Sequence, residues 1–319
     1  MNNSLVQIIN SLNCQGYTNG ETIAQQLNIT RAAVWKNIEQ LRQKYNIDIK
    51  SHKKSGYKLT DQLILIDQAK IIQAIDASNI KLDIFNSIDS TNVYLQQQTG
   101  SDQYHFCLAE HQQQGKARFN RQWHSPFGQN IYLSIKTTLQ KDLSELSGLS
   151  LAVAIIIVKT LATLFPTLTP AIKWPNDIYL AHKKLSGNLI EVKAESNFQS
   201  QVIIGIGLNV NMKYTSNIDQ PWTSLSQITG ANIDRNNIII QLINNLITGL
   251  SQFEKAGFEV FISEYRHYDY LKNKTITLET PGGKSLTGIC QGVNKMGQLI
   301  ISTAGKLHHF ASGEASIRG

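Results

Sequence analysis

The chain has 319 residues, 41% of them apolar and 17% charged, with 6 Pro and a net charge of +7, a composition that excludes a disordered or collagen-like polypeptide and a small stapled scaffold. The longest unbroken apolar run, Leu151–Val158, holds 8 residues, short of the roughly 20 that cross a bilayer, and the first ten residues lack the segments of a secretory signal, so no membrane partner and a cytoplasmic location are expected. The cations gather at the ends: all eight Lys and Arg of residues 1–64 fall between Arg31 and Lys58, accompanied there only by Glu39 and Asp48, whereas residues 65–270 carry 16 cations against 17 anions.

Leu5, Ile8, Ile9 and Leu12 recur at helical spacing and predict a first helix over residues 3–13. A short second helix over Glu21–Leu27 turns inward Ile23, Ala24 and Leu27, and an Asn28-Ile29 turn leads to Thr30, an N-cap for a third helix with the buried stripe Val34, Ile38 and Leu41. Arg31, Ala32, Trp35, Lys36, Gln40 and Arg42 lie outside that stripe. Ile47–Ile49 and Gly56–Leu59 read as short strands around the basic tip Lys50-Ser-His-Lys-Lys54. Three helices and a two-stranded wing form the arrangement in which a helix N-terminus enters the major groove. Thr30, Arg31, Ala32, Trp35 and Lys36 then meet the groove, and Lys53, Lys54 and Lys58 neutralise flanking phosphates. A winged helix that binds protein instead would not need so many lysines at its tip.

Residues 60–80 read as a linker followed by a helix with Ile71, Ile72 and Ile75 on one side. Strands at Phe106–Ala109, Asn130–Ile135 and Val202–Ile206 then mix with helices over 144–164 and 234–256, the pattern of an α+β or mixed-sheet domain. After Tyr270, strands near 275–278, 285–291, 298–301 and 306–310 alternate with Gly-bearing turns such as Pro281-Gly-Gly283, predicting a small β-barrel. The expected domains are 1–64, 65–270 and 271–319. Cys14, Cys107 and Cys290 are odd in number and widely spaced, as reduced thiols are.

Gly115-Lys-Ala-Arg-Phe-Asn-Arg-Gln-Trp123 places Lys116, Arg118 and Arg121 on one loop, and convergent cations suit a phosphoryl group in transfer. Solubility alone would also give such a loop, and no GxxxxGK[ST] cradle accompanies it. In Lys173-Trp-Pro-Asn-Asp177, Pro175 fixes the backbone, Asn176 offers donor and acceptor, and Asp177 suits Mg²⁺ or its water; in isolation the pentapeptide reads as a turn. Lys184-Leu-Ser-Gly187 opens an apolar strand. Gly205-Ile-Gly-Leu-Asn209 puts two glycines inside another, where glycine marks a bulge or a ligand pressed on the backbone. No helix and ribose acid follow that GxG, which argues against a dinucleotide fold.

Taken together, Asp89-Ser-Thr-Asn92, Gln112 with the Gly115–Trp123 loop, Lys173–Asp177, Lys184–Gly187 and Gly205–Asn209 resemble the biotin protein ligases in order and spacing. With the winged-helix start and the small C-terminal β domain, the chain resembles, over essentially its full length, the bacterial biotin ligases that also repress the biotin operon. The resemblance implies an α+β multidomain protein: a winged helix-turn-helix, a class II synthetase-like central domain and an SH3-like barrel. It implies that biotin and ATP form biotinyl-5′-AMP and pyrophosphate, and that a lysine of the biotin carboxyl carrier protein of acetyl-CoA carboxylase then takes the biotinyl group. It further implies that biotinyl-5′-AMP acts as corepressor, bringing a ligand-induced homodimer to operator DNA.

By the same resemblance, Lys184 and Arg118 are catalytic, and Ser90, Thr91, Asn92, Gln112, Gly115, Lys116, Arg118, Lys184, Gly187, Gly205 and Gly207 surround biotin. Arg118, Arg121, Trp123, Asn176, Asp177, Asn209 and Arg318 belong to the nucleotide, with Asp177 for Mg²⁺. The family loop reads Gly-Arg-Gly-Arg-x-Gly, whereas Ala117 and Asn120 stand here for glycines and Lys116 for an arginine, which implies a stiffer loop. Two other readings share parts of this set. A ligand-sensing transcription factor without turnover would not need the ATP-side residues, and a lipoate ligase would carry a Gly-Gly-Gly-Ala run that is missing here.

Overall fold

A computed structural model describes residues 3–12, 14–75, 77–100, 102–196, 199–280 and 283–317. The chain begins with α1 (Asn3–Ser11), α2 (Gly20–Leu27) and α3 (Arg31–Tyr45), followed by β1 (Ile49–His52) and β2 (Gly56–Leu59); Asn13, the last residue of the expected first helix, lies outside the described residues. Leu5, Ile8, Ile9, Ile23, Val34, Ile38 and Leu41 share one buried core, as the helical spacing demands. Thr30 Oγ1 accepts from the Ala33 N–H at 3.1 Å and starts α3, which ends at Asn46 in the left-handed region. β1 and β2 pair antiparallel with Ile49 opposite Leu59. Arg42 departs from the expected outer face: its guanidinium donates to the Ile49 carbonyl and to Glu39, tying α3 to the wing.

The central domain contributes α4 (Gln68–Ala74), β3 (Ile80–Phe85), α5 (Thr91–Gln97), β4 (Tyr104–Ala109), β5 (Ile131–Leu139), α6 (Leu149–Leu164), β6 (Ala171–Lys173), β7 (Asp177–Leu180), β8 (Lys183–Ser196), β9 (Gln199–Leu208), α7 (Leu225–Thr229), α8 (Arg235–Ala256) and α9 (Ile262–Tyr268). Its seven strands run in the order β3-β4-β5-β9-β8-β7-β6. Only β3 and β4 pair parallel, which makes this the expected mixed sheet. Strand alternation divides the side chains. Phe106, Leu108, Ile135, Ile204 and Ile206 join the core with α6 and α8, whereas Cys107 and Ile203 face the other way, with Leu95 of α5.

The stretch Ser144–Leu164 is long and apolar enough to cross a membrane, but most of its apolar part is buried inside the protein. Leu149 and Leu151–Val158 of α6 are all buried, the state of a helix that is apolar all round and packed in a core. The 8-residue run noted above therefore understates this segment, because Ser150 and Lys159 interrupt an apolar stretch that continues past both.

The C-terminal part holds β10 (Thr275–Glu279), β11 (Ser285–Val293), β12 (Leu299–Thr303), β13 (Lys306–Phe310) and β14 (Glu314–Ile317). The expected small barrel takes the form of a five-stranded antiparallel sheet, β13-β12-β11-β10-β14. Pro281 and Gly282 lie outside the described residues. Ile276, Leu278, Cys290, Leu299 and Ile301 are continuous with the central core, and the Trp174 indole donates to the Gly297 carbonyl at 3.0 Å. The sheet is thereby docked on the β6–β7 hairpin, and β14 starts beside the site described next. Cys14, Cys107 and Cys290 are free.

Candidate active site

A cleft lined from α5, the 115–123 loop, the β6–β7 turn, β8 and β9 opens on the α5 side of the central sheet. Its inner end is a chain of hydrogen bonds. The backbone N–H of Thr91, at the start of α5, and the Thr91 hydroxyl donate to Gln112 Oε1 at 2.9 and 3.1 Å. Ser134 Oγ on β5 lies 2.6 Å from both Thr91 Oγ1 and Asn92 Oδ1. Asn92 Nδ2 donates to Glu191 Oε2 on β8 at 2.6 Å, and Gln112 Nε2 donates to Ser125 Oγ at 3.2 Å. Thr91, Asn92, Gln112 and Ser134 are all buried, so the polar groups joined by these bonds are each held in one orientation; Ser90 is buried beside them.

Gly205 and Gly207 do not mark a bulge. The β8–β9 register passes through them unbroken, Leu189 opposite Gly205 and Gly187 opposite Gly207. They make room instead: a Cβ at Gly205 would lie 2.3 Å from Asn92 Oδ1, and one at Gly207 would lie 2.3 Å from the Trp123 ring. Gly115 is absent from the cleft lining; it stands at the base of the loop, where a Cβ would meet the Trp123 carbonyl at 2.6 Å.

The outer end is cationic. Lys184 Nζ lies 2.8 Å from Asp177 Oδ1 and 5.6 Å from the centre of the Trp123 ring. Arg118 donates to Asn176 Oδ1 at 3.1 Å and to the Gly313 carbonyl at 3.3 Å. Burial pushes its guanidinium pKa down, opposed by Asp177 and Glu314, yet arginine stays charged at any such value. Arg121 makes a two-pronged contact with Glu314, 2.9 Å on each oxygen, and these bonds hold the Glu314 carboxyl below its ordinary range. Lys116 Nζ reaches Glu191 Oε1 at 3.4 Å. Within the loop, Ala117 is extended (φ −132°) and needs no glycine. Phe119 and Asn120 are left-handed (φ 57° and 56°), a region that suits Asn and strains Phe. The Phe119 ring lies 4.8 Å from the Arg118 guanidinium and 5.7 Å from that of Arg121, so the stiffening expected from Ala117 falls on Phe119 instead.

Beside Lys184 the cleft continues into a narrower slot walled by Trp123, His124, Asn209, Ile218, Gln220 and Trp222. Lys184 N donates to the Pro221 carbonyl and Thr223 N to that of Lys184, which sets Trp222 next to the lysine. Ile218 and Trp222 carry no motif, although an Ile inside the largely polar run from Lys213 to Pro221 and a Trp directly after it are a signal of their kind. The Asn209 amide, part of the slot wall, is also bonded to the Thr223 carbonyl at 3.1 Å and to Asn130 at 3.4 Å. Glu314 was equally unforeseen, since only the docking of β14 brings it here. Arg318 lies outside the described residues. Among the described residues no group of three or more His, Cys, Asp or Glu could hold a metal; Asp177 and Glu314 are the carboxylates that line the cleft.

On the winged helix, Arg31, Ala32, Trp35 and Lys36 of α3 are exposed, as are Lys53 and Lys54 at the tip, while Lys58 is half-buried with its amine 5.9 Å from the Tyr17 ring. The Thr30 hydroxyl is spent on the cap.

Comparison with known proteins matches residues 5–58 to an HTH domain, 84–209 to the biotin/lipoate A/B protein ligase family and 273–318 to the biotin protein ligase C-terminal domain. The bifunctional ligase/repressor BirA of Escherichia coli K12 is 33% identical over 305 residues, 95% of this chain and 93% of that protein. Its namesake in Bacillus subtilis 168 is 28% identical and covers 90% of each. The biotin protein ligase of Aquifex aeolicus, solved with biotin and ATP, superposes with a TM-score of 0.65 at 27% identity, over 75% of this chain and 98% of that one.

Proposed function

The chain belongs to the BirA family of bifunctional biotin ligases and repressors, and from that premise we propose how its residues divide the work of an ATP-dependent biotin ligase. Biotin takes the inner end of the cleft, over the floor made by Gly187, Gly205 and Gly207, with its ureido group against Ser90 and the Thr91, Asn92 and Gln112 network. Lipoate has no ureido group and would leave those buried partners unpaired, which rejects it. The adenine takes the slot between Trp123 and Trp222, where the Trp123 indole N–H is buried with no partner among the described residues.

The carboxylate of biotin and the α-phosphate of ATP repel each other as they approach. Lys184 stands where the two ends of the cleft meet, and with Arg118 it offsets that repulsion and the charge of the departing pyrophosphate; Lys116 and Arg121 extend the positive loop. Asp177 is one carboxylate at the phosphate end, which suits Mg²⁺, an ion held by one or two carboxylates and otherwise by phosphate and water; it would supply further charge neutralisation. The bound product is biotinyl-5′-AMP, and a carrier lysine attacks this activated anhydride with little beyond positioning required. The observation that carries this reading is Lys184, 2.8 Å from Asp177, at the junction of a glycine-floored cleft and an indole-walled slot.

For repression, α3 and the wing bind operator DNA, with biotinyl-5′-AMP as corepressor and the 115–123 loop ordered over it in a homodimer. The reading keeps the boundaries 1–64, 65–270 and 271–319, takes the biotin carboxyl carrier protein of acetyl-CoA carboxylase as acceptor, and places the protein in the cytoplasm, in keeping with three free thiols. Pyrophosphate release with MgATP, comparing biotin with lipoate, followed by mass spectrometry of an added carrier domain, tests it. Release with biotin alone and a biotinyl mass gain on the carrier are expected; release with neither acid would reduce the central domain to a sensor.

A further inference from the structure

The outward face of α3 is polar and charged except in one place. Arg31 and Lys36 flank Ala32 and Trp35, which stand one helical turn apart on the same side, and the Trp35 indole is 59% exposed. The buried stripe of α3 consists of Val34, Ile38, Leu41 and Tyr45, so the indole is not part of the core under the helix. Arg42, which would otherwise extend the charged face, is bound to the wing and to Glu39. The surface that the first two turns of α3 offer to a groove is therefore Arg31, Ala32, Trp35 and Lys36. The one apolar group that a base pair presents in the major groove is the 5-methyl of thymine.

We infer that Ala32 and Trp35 form an apolar step that reads thymine methyl groups, which makes Trp35 a specificity-determining residue for the operator. This deepens the DNA-binding reading above and rests on it. Phosphate contacts from Arg31, Lys36, Lys53 and Lys54 hold any sequence alike; Trp35 adds discrimination at the base pairs it meets.

The test starts from a randomised duplex pool selected with the full-length protein, biotin and MgATP. One enriched duplex is resynthesised with deoxyuridine for thymidine, which removes the methyl groups and leaves every hydrogen-bonding edge in place. The wild type is expected to bind the uracil duplex about fourfold more weakly for each contacted methyl, the worth of one buried CH₂ group. Trp35→Phe keeps most of that difference, and Trp35→Ala, which leaves only Ala32 of the step, loses most of it. Equal binding of both by the wild type, or an undiminished thymine preference in Trp35→Ala, overturns the inference and leaves DNA binding standing. A selection that enriches no sequence overturns both.

Discussion

Arg235 Nη2 donates to Glu110 Oε2 at 2.6 Å, and the two side chains expose 0% and 2% of their surface. Arg235 also donates to the carbonyls of Ile64 at 2.7 Å and Asn130 at 2.8 Å, and the other Glu110 oxygen accepts from the Ile66 N–H. Asn236 accepts from Asp67 N at 2.8 Å and donates to the Leu65 carbonyl at 3.1 Å. The segment that joins the winged helix to the central domain is thus clamped rather than free. The two residues after Glu110 lead in different directions: the His111 ring meets the Tyr45 ring of α3 edge-on at 5.4 Å, and Gln112 accepts from Thr91 in the cleft. Three consecutive residues therefore touch the linker, the winged helix and the inner end of the cleft.

Replacing Arg235 with Met strands the Glu110 charge in the interior, which costs about 3–5 kcal/mol for a buried pair broken on one side. Arg235→Met combined with Glu110→Leu removes both charges and is expected to cost clearly less than the single change. Urea unfolding of the two variants measures this; an equal or larger loss in the double variant would mean that the pair is not what holds the clamp.

Lys184→Ala and Arg118→Ala are each expected to lower the rate of pyrophosphate release by about 10²–10³, the usual worth of one preorganised donor at a developing charge. Neither belongs to the hydrophobic core, so the melting temperature stays within a few degrees of wild type. Turnover at the wild-type rate in either variant would remove that residue from the reaction.

Gly205→Ala places a Cβ 2.3 Å from Asn92 Oδ1 and pushes that amide away from Ser134 and Glu191. The expected outcome is a KM for biotin raised roughly tenfold or more, in line with about 1–3 kcal/mol for a disturbed buried polar group, with KM for ATP close to wild type. Steady-state kinetics in each substrate separates the two, and an unchanged biotin KM would show that the Asn92 network does not hold the substrate.

What was legible in the sequence was local. Thr30 caps α3 because its own hydroxyl reaches Ala33, three residues on, and the Val34–Ile38–Leu41 stripe is a property of one helix. The motif residues were found because each motif keeps its chemistry within a few positions. The glycines of β9 were visible as exceptions, but what they make room for, Asn92 and Trp123, lies about 80 to 115 residues away in the chain, so a bulge was the nearer local account. Glu314, Glu191 and the Glu110–Arg235 pair escaped for the same reason, since their partners arrive through strand pairing and docking. Arg42 had a wing carbonyl within reach that helical periodicity does not register.

Burial lowers the pKa of His105, His111 and His124 below the ordinary imidazole value of 6.5. At His105 the Asp83 carboxylate, 2.6 Å away, offsets part of that effect. Burial raises Asp83 in turn, but the bonds from His105 and Tyr94 outweigh it and hold the carboxyl below 3.8. Unfolded, the three imidazoles take up protons near 6.5; folded, they do so only at lower pH. Their contribution to stability is complete above 6.5 and is lost as the pH falls through the folded values, before the Asp83 contribution goes. The urea midpoint is expected to be flat from pH 8 to 7 and to drop between 6.5 and 5, with a shallower drop in His105→Gln. A midpoint constant down to pH 5 would contradict this.

The Arg121–Glu314 contact ties the cationic loop to the C-terminal sheet, and its two ends are half open to water, 61% and 46% exposed. An exposed pair of this kind contributes about 0–1 kcal/mol to stability, so Glu314→Ala is expected to leave the unfolding midpoint nearly unchanged. Its effect belongs to the loop. Arg118 keeps its bond to the Gly313 carbonyl, but Arg121 loses the group that orients it, and the loop must then be ordered by the nucleotide at the moment of binding, an entropy cost that appears as weaker affinity. KM for ATP is expected to rise severalfold while KM for biotin and the rate at saturating ATP stay near wild type, and Glu314→Gln, which still offers one acceptor oxygen, falls between. A fall in KM for ATP would mean instead that Glu314 competes with the phosphates for Arg121, and the contact would then be a latch that the nucleotide has to open.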